Sequence, residues 1–451
     1  MSAQAPPTTS ATGAAYPTRG WRATFASLSI PEYAWYFWGM LAFFSGMNMM
    51  IVLRAYLVYD ITKSETALAL IMLTVALPML VIAPFAGVIV DRVDRRTLMF
   101  FAQTAVFVLN GLNTVLIWTG VVELWHLLAI STFSGAAFAF NMPARQAAMP
   151  NLVPRELLMN AMSLGTSAMN VTRIVAPAAG GLLIQPIGMG GAFAVMTAIY
   201  GLSIFFTFGL PQMPAQGRGE ANVTFFSDFA GGFSYIRSNR LLVGLLLFGT
   251  VPMIFALPYQ TLLPVFAEEV WDRGSVGLGL LQAMAGVGGL AGAMLTANLD
   301  GSRRKGQLMF VAAVLSGAFL IAFSYSFFGL ALAMMALIGL TSMVFMTVNN
   351  TMIASIIPDH VRGRVSSVLM MTFGMMPLGA VPAGIAAEVI GTPAVVAIGG
   401  GMLIAVVAMI YLLFPQFRSI DGAVQIERAD RDREFEAARE AGRAPASAAG
   451  S

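Results

Sequence analysis

Apolar residues run along this chain in blocks of about 20 to 30, each closed by a short polar or glycine-rich break. A helix rising 1.5 Å per residue needs about 20 residues to cross a hydrocarbon core of about 30 Å, so the blocks predict membrane-spanning helices. The first starts after Pro31 and reaches about Asp60; the second follows the polar turn at 60–65 and ends at Val90. Others lie at about 97–119, 124–143, 158–185 and 191–210, then at about 240–266, 275–298, 307–326, 329–356, 364–390 and 393–414. The pattern predicts an all-α membrane protein with twelve transmembrane helices in two six-helix bundles, residues 33–210 and 239–414, joined by a linker at 211–238. Residues 1–32 are expected to form a disordered tail, without the apolar core of a signal peptide. Residues 415–451 are expected to be a charged, solvated tail.

Composition sharpens this picture. Of 451 residues 58% are hydrophobic and only 10% charged, against roughly a quarter charged in soluble domains. The net charge of +3 comes from basic residues scattered between spans, not from a patch with interleaved aromatics, which argues against nucleic acid. Without cysteine there is neither disulfide nor thiolate metal site, and His126 and His360 lie far apart, so no metal is expected. No Gly-x-x-x-x-Gly-Lys-Ser/Thr loop is present, so direct ATP use is not expected; no cofactor and no enzymatic role are expected either. The expected partners are a small-molecule substrate, protons and the lipid bilayer, and the chain is expected to be a monomer.

The basic residues also predict orientation. One side of the span pattern collects Arg92, Arg95, Arg96, Arg145, Arg155, Arg218, Arg237, Arg240, Arg303, Arg304, Lys305, Arg362 and Arg364, while the other has Lys63 and Arg273. Basic loops stay in the cytoplasm, so both termini are expected there, with the protein in the cell inner membrane.

A repeat links the two halves. Gly87-Val88-Ile89-Val90-Asp91-Arg92-Val93-Asp94-Arg95-Arg96 returns in degenerate form as Ala297 to Lys305, and both copies run into Leu-Met-Phe. Val153-Pro154 likewise corresponds to Ile357-Pro358, and Ala178-Ala179-Gly180 to Pro382-Ala383-Gly384. Parallel six-helix repeats are one architecture of transporters whose substrate binds between rocking halves.

These residues carry a family resemblance. Gly87-x-x-x-Asp91-Arg92-x-x-Arg95-Arg96, between the second and third spans, resembles the signature loop of the major facilitator superfamily, which usually has Gly where Asp94 stands. Pro143-Ala144-Arg145-Gln146, Val153-Pro154-Arg155-Glu156-Leu157-Leu158 and Arg362-Gly363-Arg364-Val365-Ser366-Ser367 resemble a drug:proton antiporter branch that includes macrolide-efflux and enterobactin-exporter-like proteins. Arg173 to Gly181 is similar to an antiporter motif built here from Arg173, Pro177, Gly180 and Gly181, with Ala176 in place of its first Gly. The resemblance implies export by alternating access with proton antiport. Proton-coupled relatives commonly carry an arginine motif in span four, whereas Ile130 to Ala139 has no charge. A metabolite uptake permease, or a lipid-translocating or non-transporting membrane sensor, is the alternative.

Roles follow for single residues. Asp91 is expected to meet the partially positive N-terminus of a neighbouring helix; the resemblance makes that helix span eleven, entering near Arg362 and Arg364, and the loop residues Gly87, Asp91, Arg92, Arg95 and Arg96 together with Arg362 and Arg364 a cytoplasmic latch. The bland alternative is a topology loop, Arg92, Arg95 and Arg96 included, that binds lipid phosphate. Arg173, about 24 Å along span five, is expected to face a cavity or partner, or else to cap carbonyls or snorkel. Arg54 is expected either to line the cavity or to snorkel to the interface. Phe44, Met47, Asn48, Asn349 and Asn350 complete the cavity candidates, although most buried amides join helices. Asp60 and Glu388 are candidates for carrying a proton, or else ordinary interfacial carboxylates.

Overall fold

The computed structural model of the protein describes residues 25–214, 236–237, 239–298, 305–357 and 376–413. The described residues outside turns are helical. Helix α1, Pro31–Thr62, has proline at its first position, where the missing N–H costs nothing, and ends at Lys63 in the left-handed region. Helix α2, Glu65–Arg92, is capped by the Ser64 hydroxyl, which accepts the Ala67 N–H at 3.1 Å. Then follow α3, Arg95–Trp118, and α4, Leu124–Ala148.

The next helix, α5, runs through 51 residues from Leu158 to Phe208, about 76 Å at 1.5 Å per residue and more than two membrane cores. It bends at Gly188, whose φ of 71° lies where a side chain would be strained, and so returns across the membrane as two passes.

The second half contains α6, Arg240–Phe255, and the seven-residue α7, Tyr259–Val265, followed by a π turn, Phe266–Val270. An uninterrupted span at 240–266 was the expectation, and the structure breaks it near Ala256 to Pro258. Pro252, Pro258 and Pro264 each lack an N–H for the helical ladder, so the segment passes as three shorter pieces. Helices α8, Gly274–Asn298, α9, Lys305–Ser324, α10, Phe328–Ile356, α11, Met376–Ile390, and α12, Thr392–Leu413, complete the order.

Among the described residues ten helical segments are long and apolar enough to cross a membrane, the bent α5 being one of them, and α11 is a shorter apolar helix. Their outward faces carry large apolar side chains such as Phe101, Val108, Phe205 and Leu412. The buried side chains fall into two clusters, one drawn from residues 26–213 and one from 236–407. Only Val265 and Val52 belong to the cluster of the opposite half. The halves meet along two corresponding pairs, α2 on α11 and α5 on α8. At the second pair Gly181 and Gly279 touch, and a side chain on Gly181 would come within 2.4 Å of the Ser275 carbonyl.

Candidate functional site

The polar contacts between described residues of the two halves gather on the face away from the basic loops. On one side of that closure, Tyr56 donates to Glu268 at 3.0 Å and Tyr59 donates to Glu269, both carboxylates standing on the π turn after α7. Lys63 lies 3.7 Å from Glu268 and 3.5 Å from Asp60. On the other side, Glu388 of α11 accepts the Ser64 hydroxyl at 2.5 Å and the Thr66 N–H at 3.1 Å. Thr392 donates to Glu65 at 3.2 Å, and Gly384 sits so close that an added Cβ would come within 2.7 Å of the Glu65 carbonyl. Hydroxyl and N–H donors from one half therefore meet carboxylates of the other, with backbones in contact beneath them. These hydrogen bonds tie the halves together at this face.

Of the expected proton carriers, Glu388 is exposed yet spans the two halves, whereas Asp60 is an exposed partner of Lys63 three residues on. Sequence reasoning passed over Glu268 and Glu269. Their adjacency at the end of span seven, and the matching spacing of Tyr56 and Tyr59 on one helix face, was the available signal.

Arg54 does not snorkel. It is 7% exposed and donates to the Ser131 hydroxyl of α4 at 3.2 Å. Val52 and Tyr56, two residues to either side, pack on the second half, so a helix turning 100° per residue points Arg54 away from it, into the first half. Arg173 is exposed on α5 and within electrostatic reach of Tyr259 on α7. The two arginines therefore lie in different surroundings, not in one shared cavity wall.

Phe44 and Asn48 fall on the same stripe of α1 as Val52 and Tyr59, which face the second half. Both are buried, Met47 beside them is half-buried, and Asn48 donates back to the Phe44 carbonyl at 2.8 Å. Asn349 is buried against Gly249 of α6, and Asn350 is exposed. In the antiporter-like motif Pro177, Gly180 and Gly181 are buried, Gly180 facing Met49 of α1 and Gly181 facing α8.

A second buried arginine corrects the loop count. Arg145 lies inside α4, 4% exposed, not in a surface loop. Its Nε donates to Asn141 at 3.0 Å and its Nη2 reaches the Gly39 carbonyl at 3.4 Å. In the amide orientation that satisfies both ends, Gln103 accepts from Arg145 at 2.9 Å and donates to Ser203 and Thr207. The guanidinium also lies 4.9 Å from the Phe43 ring centre. Span four thus does carry an arginine, further along than the uncharged stretch at 130–139. Neither Arg54 nor Arg145 forms an ion pair among the described residues, so neutral dipoles alone hold two costly buried charges.

The signature loop is tied down more firmly than a topology signal requires. Asp94 caps α3, its Oδ1 accepting the Thr97 N–H and hydroxyl at 2.8 Å each, while its Oδ2 accepts the Met213 N–H at 2.6 Å. The Arg95 N–H donates to the Met213 carbonyl at 3.2 Å, and Arg96 donates to the Phe208 carbonyl at 2.7 Å. The residue that departs from the superfamily glycine therefore fastens the chain as it leaves α5. Burial pushes the Asp94 carboxyl up, but the Thr97 and Met213 donors and the Arg96 charge outweigh it and hold it below the usual carboxylate value. Arg92 is exposed and Arg95 buried. Gly87 and Asp91 lie within α2, but the surroundings of Gly87 and the side chain of Asp91 lie outside the description, as do Arg362, Arg364 and residues 299–304 of the repeated loop.

Comparison with known proteins fits this arrangement. The chain is 24% identical over 380 residues to macrolide efflux protein A of Streptococcus pyogenes, covering 82% of this chain and 93% of that one. It is 23% identical over 341 residues to the staphyloferrin A transporter of Staphylococcus aureus, covering 74% and 84%. It is 26% identical over 289 residues to the enterobactin exporter EntS of Escherichia coli O1:K1, covering 62% and 67%. In fold it is similar to a point mutant of the nucleoside transporter NupG, with TM-score 0.68 at 12% identity over 85% of this chain and 99% of that one. A bacterial homologue of the human lysosomal transporter Spinster gives TM-score 0.66 at 14% identity over 89% and 98%. The transmembrane secretion effector family matches residues 22–443, and the chain belongs to it: a multi-pass membrane transporter of the major facilitator type, with efflux proteins among its relatives.

Proposed function

We propose that this transporter exports an amphipathic small molecule, a drug-like compound or a siderophore, across the inner membrane by alternating access and proton antiport. The observation that carries the reading is the carboxylate closure between the halves, Tyr56 to Glu268 and Ser64 to Glu388, on the face away from the basic loops. With the basic loops and both termini in the cytoplasm, this closure seals the outer face, and substrate released outward must pass it. Macrolides, staphyloferrin A and enterobactin, named for three relatives, are the substrates to try first.

In this reading residues 33–210 and 239–414 rock as two bodies, and Asp91 with Arg362 and Arg364 forms the cytoplasmic latch of the outward-facing state. The face of α1 bearing Phe44 and Asn48 supplies the first half's cavity wall, and Arg173 reaches the cavity from α5. The cysteine-free sequence allows a clean test. Ser64→Cys and Glu388→Cys, joined by a short bifunctional thiol reagent in liposomes, should abolish substrate counterflow, and cleaving the linker should restore it. Counterflow that continues with the halves joined there would reject alternating access through this closure.

A further inference from the structure

A cavity of about 360 Å³ opens in the second half between α6, α7, α11 and α12. Ile254, Tyr259, Leu262, Pro382, Val395 and Met402 are among its lining, in which the Tyr259 hydroxyl is the one polar side-chain group. It lies beside the break between α6, which ends at Phe255, and α7, which starts at Tyr259, and residues of α11 and α12 line the rest of it. Its size falls within the roughly 300 to 1,000 Å³ of small-molecule sites, but it lacks the convergent polar groups that orient a polar ligand.

Position identifies what fills it. The lining on α12 extends from Val395 to Met402, and Met402 lies ten residues after the helix start at Thr392, about 15 Å along the axis. That is about half of a 30 Å hydrocarbon core, so the cavity occupies the depth of the leaflet away from the basic loops. Leu378, Ile390 and Met402 at its rim are 61%, 50% and 47% exposed, on faces that meet lipid in a membrane-spanning protein. Water finds almost no partner there. Bilayer hydrocarbon is as apolar as the walls, so occupancy is set by shape: a chain that fills the void recovers contacts that an empty space forfeits.

We infer that this cavity is a binding site for one acyl chain of a phospholipid in the leaflet away from the basic loops. The lipid headgroup stays at the interface near Ile390 and Val395, and the chain descends toward Met402. This site is separate from the transported substrate and does not depend on the direction of transport.

The test uses the full chain in nanodiscs made with a phosphatidylcholine that carries a diazirine midway along one acyl chain. After irradiation and proteolysis, mass spectrometry should find the peptides of α11 and α12 that line the cavity labelled at least fivefold more than those bearing Val108 and Phe205, which are equally exposed to lipid. Ala383→Phe or Ala386→Phe, each placed to fill the space, should reduce the cavity labelling to the level of those controls and leave the controls unchanged. Labelling of wild type no higher than the controls, or unchanged in a filled variant with a native melting profile, overturns the site. Displacement of the label by excess macrolide assigns the cavity to substrate instead and overturns the lipid assignment.

Discussion

The Ser64 hydroxyl and the Glu388 carboxylate, 324 residues apart in sequence, lie 2.5 Å from each other and join the start of α2 in one half to α11 of the other. The same Ser64 oxygen caps α2, so one side chain both starts a helix and holds the halves together. Glu388→Gln keeps the shape but loses the charge. For an exposed pair the cost is about 0.5 to 1 kcal/mol, a two- to fivefold shift toward the open outer face. Spin labels placed across the closure should show that shift as a larger long-distance population.

Backbone contact should matter more than any single hydrogen bond here. Gly384→Leu places atoms where the Glu65 carbonyl now sits, so the closed arrangement loses its packing by about 1 to 3 kcal/mol. The same labels should report a mostly open outer face, with the variant still folded. A closed-state population equal to wild type would show that the α2 to α11 contact does not govern closure.

Arg145 predicts a different outcome, because its partners lie within one half. Arg145→Ala leaves Gln103 and the Asn141 oxygen without their donor and should lower stability by about 3 kcal/mol, read as a fall in melting temperature in detergent. Arg145→Lys should recover only part of this, since an ammonium cannot reproduce the planar fork.

Asp94 carries a pH signature. Its carboxyl is held below the ordinary value of about 3.9, so the stability it contributes is present above that value and disappears as pH falls through the lower, folded one. Asp94→Asn should remove this acid-sensitive part, and its melting temperature should converge with wild type at the acid end. Asp94→Gly, the common superfamily residue, should cost about 1 kcal/mol at neutral pH, mostly through the lost Met213 N–H bond, because glycine replaces an N-cap at a cost of only a few tenths of a kcal/mol.

Asp91 tests the latch. At equal expression, Asp91→Asn should transport more slowly than wild type and favour the state open to the basic side. An unchanged rate would leave the loop with a topological role alone.

Much of the fold was legible because the bilayer imposes length and composition on every crossing helix, and block spacing alone located most spans among the described residues; the start of the span expected at 364–390 lies outside them. What escaped were features set by tertiary packing. The break in span seven was foreshadowed by Pro252, Pro258 and Pro264, but prolines inside membrane helices bend as often as they break them, so spacing could not decide. Arg145 sat near a span end and read as a loop cation; only the arrangement of Gln103, Asn141 and Ser203 on three helices shows why it stays buried. Arg54, expected either to line the cavity or to snorkel, is turned into the first half, because its neighbours Val52 and Tyr56 take the face toward the second. The closure by Glu268 and Glu269 needed two residues more than 200 positions from Tyr56 and Tyr59, a pairing that no local pattern encodes.

The most direct measurement is transport by the purified chain in liposomes under an imposed pH gradient, assayed against macrolides, dyes and siderophores. The account predicts that at least one such compound moves against its own gradient when protons flow the opposite way, and that an uncoupler abolishes this movement. Transport that proceeds at the same rate with and without the gradient would contradict it.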